Sequence, residues 1–182
     1  MATENKKIST ELPDWYFSSR DRLMASSSSL INAYRPEAME VFRELGIPDQ
    51  KQENYKYTNI GKSFLMPFRK YIEPKKILFS VEDLFHCDIP DLDTEVVLLV
   101  NGWYYENQNQ LQTLDNGMII GSMAVAAQKY PDLVKEHYGK YVDFRTDGLL
   151  ALNTAFAQDG TFIYVPKNAG SNQAVQIVNL LL

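Results

Sequence analysis

Residues 149–166 read LLALNTAFAQDGTFIYVP, and this short stretch predicts a complete helix, turn and strand. Asp147 lies just before the helix, at the position where an N-cap residue is favoured. Three apolar side chains share one face of that helix: Leu149, Leu152 and Phe156. Asp159 and Gly160 predict a tight turn in which the glycine can adopt a positive φ, before a strand over residues 161–165. Because the stretch holds no nucleophile, general base or pair of metal ligands, we interpret it as a packing segment.

The whole chain has the composition of a folded protein with one domain, or one domain and part of another. It has 182 residues, of which 45% are hydrophobic and 12% aromatic, and this argues against wholesale disorder. Its 18 basic and 23 acidic residues give a formal net charge of −5, which does not favour a basic face for nucleic acid. Residues 1–12 lack the apolar core of a secretory signal, and no stretch approaches the roughly 18 apolar residues of a membrane span. We expect a cytoplasmic protein with no nucleic-acid or membrane partner.

The first third of the chain predicts helices. Residues 1–12 are polar and we expect them to fray, after which Pro13 and Asp14 open a helix. The serine tract at 26–29 lowers helix propensity, so this helix bends there or is held by a neighbour. A second helix over residues 36–45 carries an apolar stripe and stops at Gly46.

A charged connector, residues 49–58, interleaves lysine and tyrosine in the sequence DQKQENYKYT. Such interleaving occurs where tyrosines stack on the bases of a single strand. The acidic overall charge favours instead that these tyrosines pack under the helices. Thr58 or Asn59 then caps a third helix, which carries Ile60, Phe64 and Phe68 on one face.

One cysteine and two histidines are the candidates for thiol or imidazole chemistry: Cys87, His86 and His137. Adjacent residues point to opposite faces of a strand and lie about 100° apart on a helix, so His86 is badly placed to activate Cys87. A lone cysteine excludes an internal disulfide and an all-cysteine cluster site, and a buried, inert thiol is favoured. No phosphate-binding glycine loop, G-x-S-x-G elbow or H-E-x-x-H pair occurs. A cysteine-dependent enzyme that uses Cys87 with His137 remains an alternative.

A small sheet is predicted in the second half of the chain. Residues 95–100, EVVLLV, form an apolar run typical of a strand buried on both faces. Asn-Gly pairs at 101–102 and 116–117 predict turns between neighbouring strands. Ser122 and Pro131 each begin a short helix, and we expect these helices to cover one face of the sheet.

The opening stretch resembles a segment of the SufD family, which belongs to the SUF system of iron–sulfur cluster assembly. Residues 152–160, LNTAFAQDG, match the family pattern L-N-x-A-F-x-x-D-G. Four earlier segments agree in the same order: 46–48 (GIP), 53–58 (ENYKYT), 100–102 (VNG) and 117–120 (GMII). Tyr55 stands where the family more often has tryptophan, so the position stays aromatic. The resemblance runs from about residue 14 and covers only the N-terminal part of the family.

The resemblance implies an α+β fold in which an N-terminal helical and mixed domain leads into the first strands of a right-handed parallel β-helix. We expect a disordered N-terminus at 1–13, the mixed domain at 14–158 and the start of the β-helix at 159–182. The chain is expected to be truncated within that β-helix, because the apolar strand at 175–182 would otherwise leave an adhesive edge.

The resemblance also implies a function, that of a non-catalytic scaffold subunit acting with SufB and the ATPase SufC. The family's cluster-associated histidine and its SufC-binding surface belong to the later part of the family, so His86 and His137 inherit no role. SufB itself is a weaker match in this region. We therefore expect no catalytic, cofactor-binding or metal-binding residue here and no cofactor in this fragment. The alternatives are the enzyme using Cys87 and His137, and an unrelated α+β binding domain.

Overall fold

The computed structural model describes residues 2–25, 27–64, 72–74, 94–105, 110–170 and 174–182. These residues contain seven α-helices and six strands. The helices are α1 (Ala2–Ala25), α2 (Ser29–Asn32), α3 (Arg35–Leu45), α4 (Ile60–Phe64), α5 (Met123–Lys129), α6 (Pro131–His137) and α7 (Gly148–Phe156). The strands are β1 (Thr94–Val100), β2 (Trp103–Tyr104), β3 (Leu111–Thr113), β4 (Ile119–Ser122), β5 (Thr161–Tyr164) and β6 (Ala174–Leu180). This mixture confirms the predicted α+β class.

Contacts divide the chain into two units, each of which draws on two stretches of sequence. Met1–Ile72 and Asp132–Ala157 form one, here called the helical unit. Glu73–Pro131 and Gln158–Leu182 form the other, here called the sheet unit. Residues 158–182 therefore share a unit with earlier strands, and the assignment of 159–182 to a β-helix domain stays a prediction.

α3 and α7 pack directly against each other in the centre of the helical unit. The stripe predicted on α3 is confirmed at Met39 and Phe42, which are fully buried, whereas Leu45 is 46% exposed. α3 ends as predicted at Gly46, whose φ of 67° is a left-handed conformation that glycine adopts at little cost. The buried cluster draws on several elements: Leu12, Tyr16, Leu23, Ala38, Met39, Phe42, Ile47, Ile72, Phe144, Ala151 and Ala155.

α1 is longer than the sequence predicted. It begins at Ala2, and Pro13 lies inside it, so the described residues 2–13 are helical where the sequence analysis expected disorder. The residues before Pro13 include no glycine or other proline, and the helix extends the apolar face of Tyr16 back to the buried Leu12. One proline removes a single backbone donor, and core burial offsets that loss. At the serine tract, where a bend or a supporting neighbour was predicted, the helix ends: α1 stops at Ala25 and α2 begins at Ser29.

Three short helices begin at predicted positions. α4 is capped by Asn59, whose Oδ1 accepts a backbone hydrogen bond of 3.1 Å. α5 is capped by Ser122, whose Oγ accepts a backbone hydrogen bond of 3.1 Å. Pro131 is the first residue of α6. Phe68, predicted for the same face as Ile60, lies outside the described residues.

The sheet unit contains two three-stranded sheets, ordered β2-β1-β6 and β3-β4-β5. The buried strand predicted at 95–100 is confirmed as β1, and Asn101 (φ 50°) and Gly102 (φ 90°) form the two-residue turn into β2. One apolar cluster takes side chains from both sheets: Val97, Leu99, Tyr104, Met118 and Ile120.

The strands that follow the opening stretch exist but belong to different sheets. β5 pairs antiparallel with β4, whereas β6 pairs in parallel with β1, from Thr94 opposite Ala174 to Val100 opposite Leu180. These small sheets do not show a right-handed parallel β-helix, because no two consecutive strands among the described residues pair in parallel. The finer part of the fold prediction is therefore not shown.

Two glycines of the opening region differ sharply in their surroundings. A Cβ on Gly148, the first residue of α7, would lie 1.8 Å from the carbonyl oxygen of Gly46, so only glycine fits at this contact. A Cβ on Gly160 would meet nothing within 4 Å, and the φ of Gly160 is not positive. The tight turn predicted at Asp159 and Gly160 is not found, because residues 157–160 lead from α7 to β5 without a turn.

This contrast gives a matched pair of variants. We expect Gly148→Ala to lower the free energy of unfolding by about 3 kcal/mol, because α7 has to move away from the Gly46 turn. Gly160→Ala should leave stability unchanged or raise it slightly, since the native backbone suits any residue. Urea denaturation of both variants measures this, and equal losses in the two would contradict the close backbone approach at Gly148.

Candidate functional site

Asp147 forms a hydrogen-bond centre at the N-terminus of α7. Its Oδ1 accepts from the backbone N–H groups of Leu149 (2.8 Å) and Leu150 (3.1 Å), which confirms the predicted cap. Its Oδ2 accepts a hydrogen bond of 2.7 Å from the hydroxyl of Tyr55. That hydrogen bond raises the pKa of Tyr55 to about 12, because a tyrosinate would face the carboxylate. The connector 49–58 is therefore tied to the start of α7.

Arg35 donates a hydrogen bond to the C-terminal turn of α7, as Asp147 accepts hydrogen bonds at the N-terminal turn. Its side chain is fully buried. Its Nη1 donates a hydrogen bond of 2.9 Å to the carbonyl oxygen of Ala155 in the last turn of α7. Its Nε donates a hydrogen bond of 2.8 Å to Oδ1 of Asn32. Carbonyls at a helix end lack partners within the helix, and a cation there also opposes the negative end of the helix dipole. Burial lowers the pKa of Arg35 from its usual value.

Asp159 forms the second carboxylate centre, in the sheet unit. Its Oδ1 accepts from the hydroxyl of Ser122 (2.7 Å) and the backbone N–H of Ala124 (3.1 Å), and its Oδ2 accepts from the backbone N–H of Tyr104 (3.0 Å). The carboxylate thereby joins β2, the N-terminus of α5 and the chain leading into β5. The sequence analysis had placed Asp159 in a turn and missed this role. The cap at Ser122 was the one local signal near it.

The segments singled out by the sequence analysis lie at these contacts. The turn at 46–48 meets α7 at Gly148, and the connector segment 53–58 meets it through Asp147. The hairpin turn at 100–102 leads into Tyr104, which donates to Asp159. The carboxylates and the guanidinium are thus used to hold secondary structure. The hydroxyl of Ser122, which donates to Asp159, is buried and also caps α5, so it serves the fold as well.

The residues suspected of chemistry are only partly described. Cys87 and His86 lie outside the described residues. His137 is exposed at the end of α6, where its ring stacks on Tyr141 at 5.8 Å and its Nδ1 contacts the Tyr141 hydroxyl. Pairing of Cys87 with His137 stays a prediction.

The described residues hold neither a group of metal ligands nor a membrane-spanning helix. No group of three or more His, Cys, Asp or Glu side chains in residues 2–64, 72–74, 94–105, 110–170 and 174–182, residue 26 apart, is arranged to hold a metal ion. Over the same part of the chain, none of the helices has the length and apolar character needed to cross a membrane.

Comparison with known proteins identifies what the chain is similar to. A family profile described as the SufBD protein N-terminal region matches residues 6–177. The iron-sulfur cluster assembly protein SufD of Bacillus subtilis is 28% identical over 153 residues, which cover 79% of this chain and 33% of that protein. An iron-sulfur cluster assembly SufBD family protein of Arabidopsis thaliana is 45% identical over 53 residues, or 29% of this chain and 11% of the relative. The chain thus spans a third or less of these relatives. No solved structure matches it.

The Tyr55–Asp147 hydrogen bond makes a prediction about stability and pH. We expect Tyr55→Phe to lower the free energy of unfolding at pH 7 by about 1 kcal/mol, because the variant keeps the ring and loses one bond to a partly exposed carboxylate. The folded-state pKa of Tyr55, about 12, lies above the unfolded value of 10.0. The difference in the free energy of unfolding between wild type and Tyr55→Phe should therefore be fully present below pH 10 and disappear as the pH rises through 12.

Urea denaturation at several pH values measures this difference. Tyr57→Phe is the control, because Tyr57 is 88% exposed. Two results would show that the hydroxyl does not act through Asp147. One is an equal loss of unfolding free energy in Tyr57→Phe, and the other is a difference in unfolding free energy between wild type and Tyr55→Phe that stays constant up to pH 12.

The Asp159 centre predicts a larger effect. We expect Asp159→Ala to lower the free energy of unfolding by about 3 kcal/mol, because a buried serine hydroxyl and two backbone N–H groups lose their acceptor. Asp115→Ala is the matched control, since Asp115 is exposed, and it should change stability by less than about 0.5 kcal/mol. Thermal unfolding followed by circular dichroism compares them, and indistinguishable melting temperatures would refute the role of Asp159.

Proposed function

Because the chain belongs to the SufBD family, we propose that it is the N-terminal region of a SufD-like scaffold subunit in iron–sulfur cluster assembly. The observation that carries the proposal is the match of the family profile to residues 6–177, which is nearly the whole chain. The similarity to SufD of Bacillus subtilis covers 79% of the chain and favours the SufD branch of the family. In this proposal the full-length protein works in a complex with SufB and the ATPase SufC.

The proposed contribution of this chain is architecture and interaction surface, without catalysis. Its charged groups support that role, since Asp147, Asp159 and Arg35 already hydrogen-bond to backbone groups and to Tyr55, Ser122 and Asn32. A carboxylate that ligates iron would have to give up such bonds, and the fold would lose the cap or the strand contact that each one makes. The iron–sulfur cluster is accordingly proposed as cargo of the whole complex and not as a cofactor of this chain.

The proposal includes a fold and a location that go beyond the small sheets described above. The parallel pairing of β6 with β1 over residues 174–180 supports a continuation into a parallel β-helix, because that fold is built from parallel strands. A single cysteine, Cys87, suits the reducing cytoplasm. No nucleic-acid or membrane partner is included.

Family membership rules out the alternative of an unrelated α+β binding domain. The other alternative, a cysteine-dependent enzyme using Cys87 and His137, receives no support from the relatives, whose names refer to iron–sulfur cluster assembly.

Reconstitution of the complex tests the proposal. The full-length protein is co-expressed with SufB and SufC of the same organism, and each preparation is incubated anaerobically with iron and sulfide. We expect all three subunits to co-purify and the visible absorbance of a cluster to appear in the complex, while the scaffold subunit alone stays colourless. Failure to co-purify would refute the proposal. A cluster on the subunit alone that is lost in Cys87→Ala would refute the non-catalytic reading of this chain.

A further inference from the structure

Arg35 carries a positive charge into the interior of the helical unit. Its side chain has a relative exposure of 0%. Two of its nitrogens donate to neutral acceptors, Nε to Asn32 (2.8 Å) and Nη1 to the carbonyl oxygen of Ala155 (2.9 Å). The remaining nitrogen, Nη2, is buried and has no acceptor among the described residues. A buried charge is costly unless an opposite charge accompanies it, so Arg35 requires a counter-ion that these two hydrogen bonds do not supply.

Tyr16 of α1 brings a second donor without a partner into the same unit. Its side chain is 1% exposed, and its hydroxyl makes no hydrogen bond to the part of the chain that the structure describes. Burial, and more weakly the Glu40 carboxylate, raises the pKa of Tyr16, whereas the charges of Arg20 and Arg35 act in the opposite direction. The Tyr16 hydroxyl therefore lies within electrostatic range of the Arg35 guanidinium.

The groups that oppose the loss of charge on Arg35 are tyrosines. Burial lowers the pKa of Arg35, and Tyr138 and Tyr16 counter that shift. Both are neutral at pH 7, because the pKa of each is raised above 10.0. Glu40, whose carboxylate acts on Tyr16, is bonded through both oxygens to Arg43 at 2.8 and 3.1 Å. The positive charge of Arg35 thus remains without a carboxylate partner within the described ranges.

We propose that a small monovalent anion, of which chloride is the type, binds inside the helical unit and accepts hydrogen bonds from Nη2 of Arg35 and the hydroxyl of Tyr16. Such an ion satisfies both donors and also neutralises the guanidinium. A water molecule would satisfy the donors and leave the charge without a counter-ion. A carboxylate or phosphate on a larger molecule does not suit the site, because side chains with 0% and 1% exposure leave no opening for the rest of that molecule.

The bound anion has a structural consequence that is independent of iron–sulfur cluster assembly. Arg35 is the first residue of α3 and donates to the last turn of α7, while Tyr16 belongs to α1. An ion held by both side chains joins α1 to the pair formed by α3 and α7. Because the unfolded chain has no such site, the ion stabilises the folded protein in proportion to its occupancy.

Urea denaturation at increasing chloride concentration tests the inference. Sodium gluconate replaces sodium chloride to keep the ionic strength constant, because gluconate is too large for an enclosed site. Above the dissociation constant, a tenfold rise in chloride should raise the folding equilibrium constant of wild type by about tenfold. Tyr16→Phe keeps the ring and loses the donor, so we expect it to bind chloride about tenfold more weakly. Tyr34→Phe is the matched control, since the Tyr34 hydroxyl donates to the carbonyl oxygen of Tyr138 (3.4 Å), and it should respond to chloride like wild type.

Crystals grown in sodium bromide locate the ion. We expect an anomalous peak within hydrogen-bond distance of Nη2 of Arg35 and of the Tyr16 hydroxyl. A water molecule at that position, with no anomalous signal, would overturn the inference. It would also be overturned by equal stability of wild type in chloride and gluconate, or by the same chloride dependence in Tyr16→Phe as in Tyr34→Phe, because the ion would then act elsewhere.

Discussion

The helical unit depends on opposite charges at the two ends of α7. This helix lies in the core, so its terminal N–H and C=O groups need partners from other segments. Asp147 supplies acceptors at the first turn, and the buried Arg35 supplies a donor at the last. Arg35 is the first residue of α3, and Asp147 also accepts a hydrogen bond from the Tyr55 hydroxyl. The hydrogen bonds at the two ends of α7 therefore also fix the positions of α3 and the connector. A helix of nine residues thereby organises segments from distant parts of the sequence.

Sequence reasoning succeeded where a signal is local and failed where it depends on distant partners. The caps at Asp147, Ser122 and Asn59 and the hairpin turn at 101–102 were predicted because each acts on residues two or three positions away. The bond from Arg35 to Ala155 spans 120 positions, and a lone arginine in a helix leaves no periodic mark that would reveal it. Tyr55 was recognised only as an aromatic residue, because nothing in the sequence near it indicates that its hydroxyl bonds to a carboxylate 92 positions later. The start of α1 was missed for a related reason, because burial in the core outweighs the local cost of a proline.

Similarity to a family and the physical structure describe the same residues in different ways. The matching segments contain few groups suited to catalysis. They do include Gly46 and Tyr55, which contact the start of α7 in the helical unit, and Asp159, which joins elements of the sheet unit. Each of these contacts has a strict geometric requirement, such as a missing Cβ or a fixed carboxylate. We infer that the resemblance reports the architecture of a scaffold.

The parallel pairing of β1 with β6 has a consequence for the order of events during synthesis. Thr94 pairs with Ala174, and the difference between these positions is 174 − 94 = 80 residues. Chains emerge from the ribosome N-terminus first, and contacts between such distant positions form slowly. The last stretch of the helical unit ends at Ala157, ahead of β6. The helical unit can therefore fold during synthesis before β6 is available to pair with β1. During that interval the backbone groups along this edge of β1 lack their strand partner and need protection from other chains.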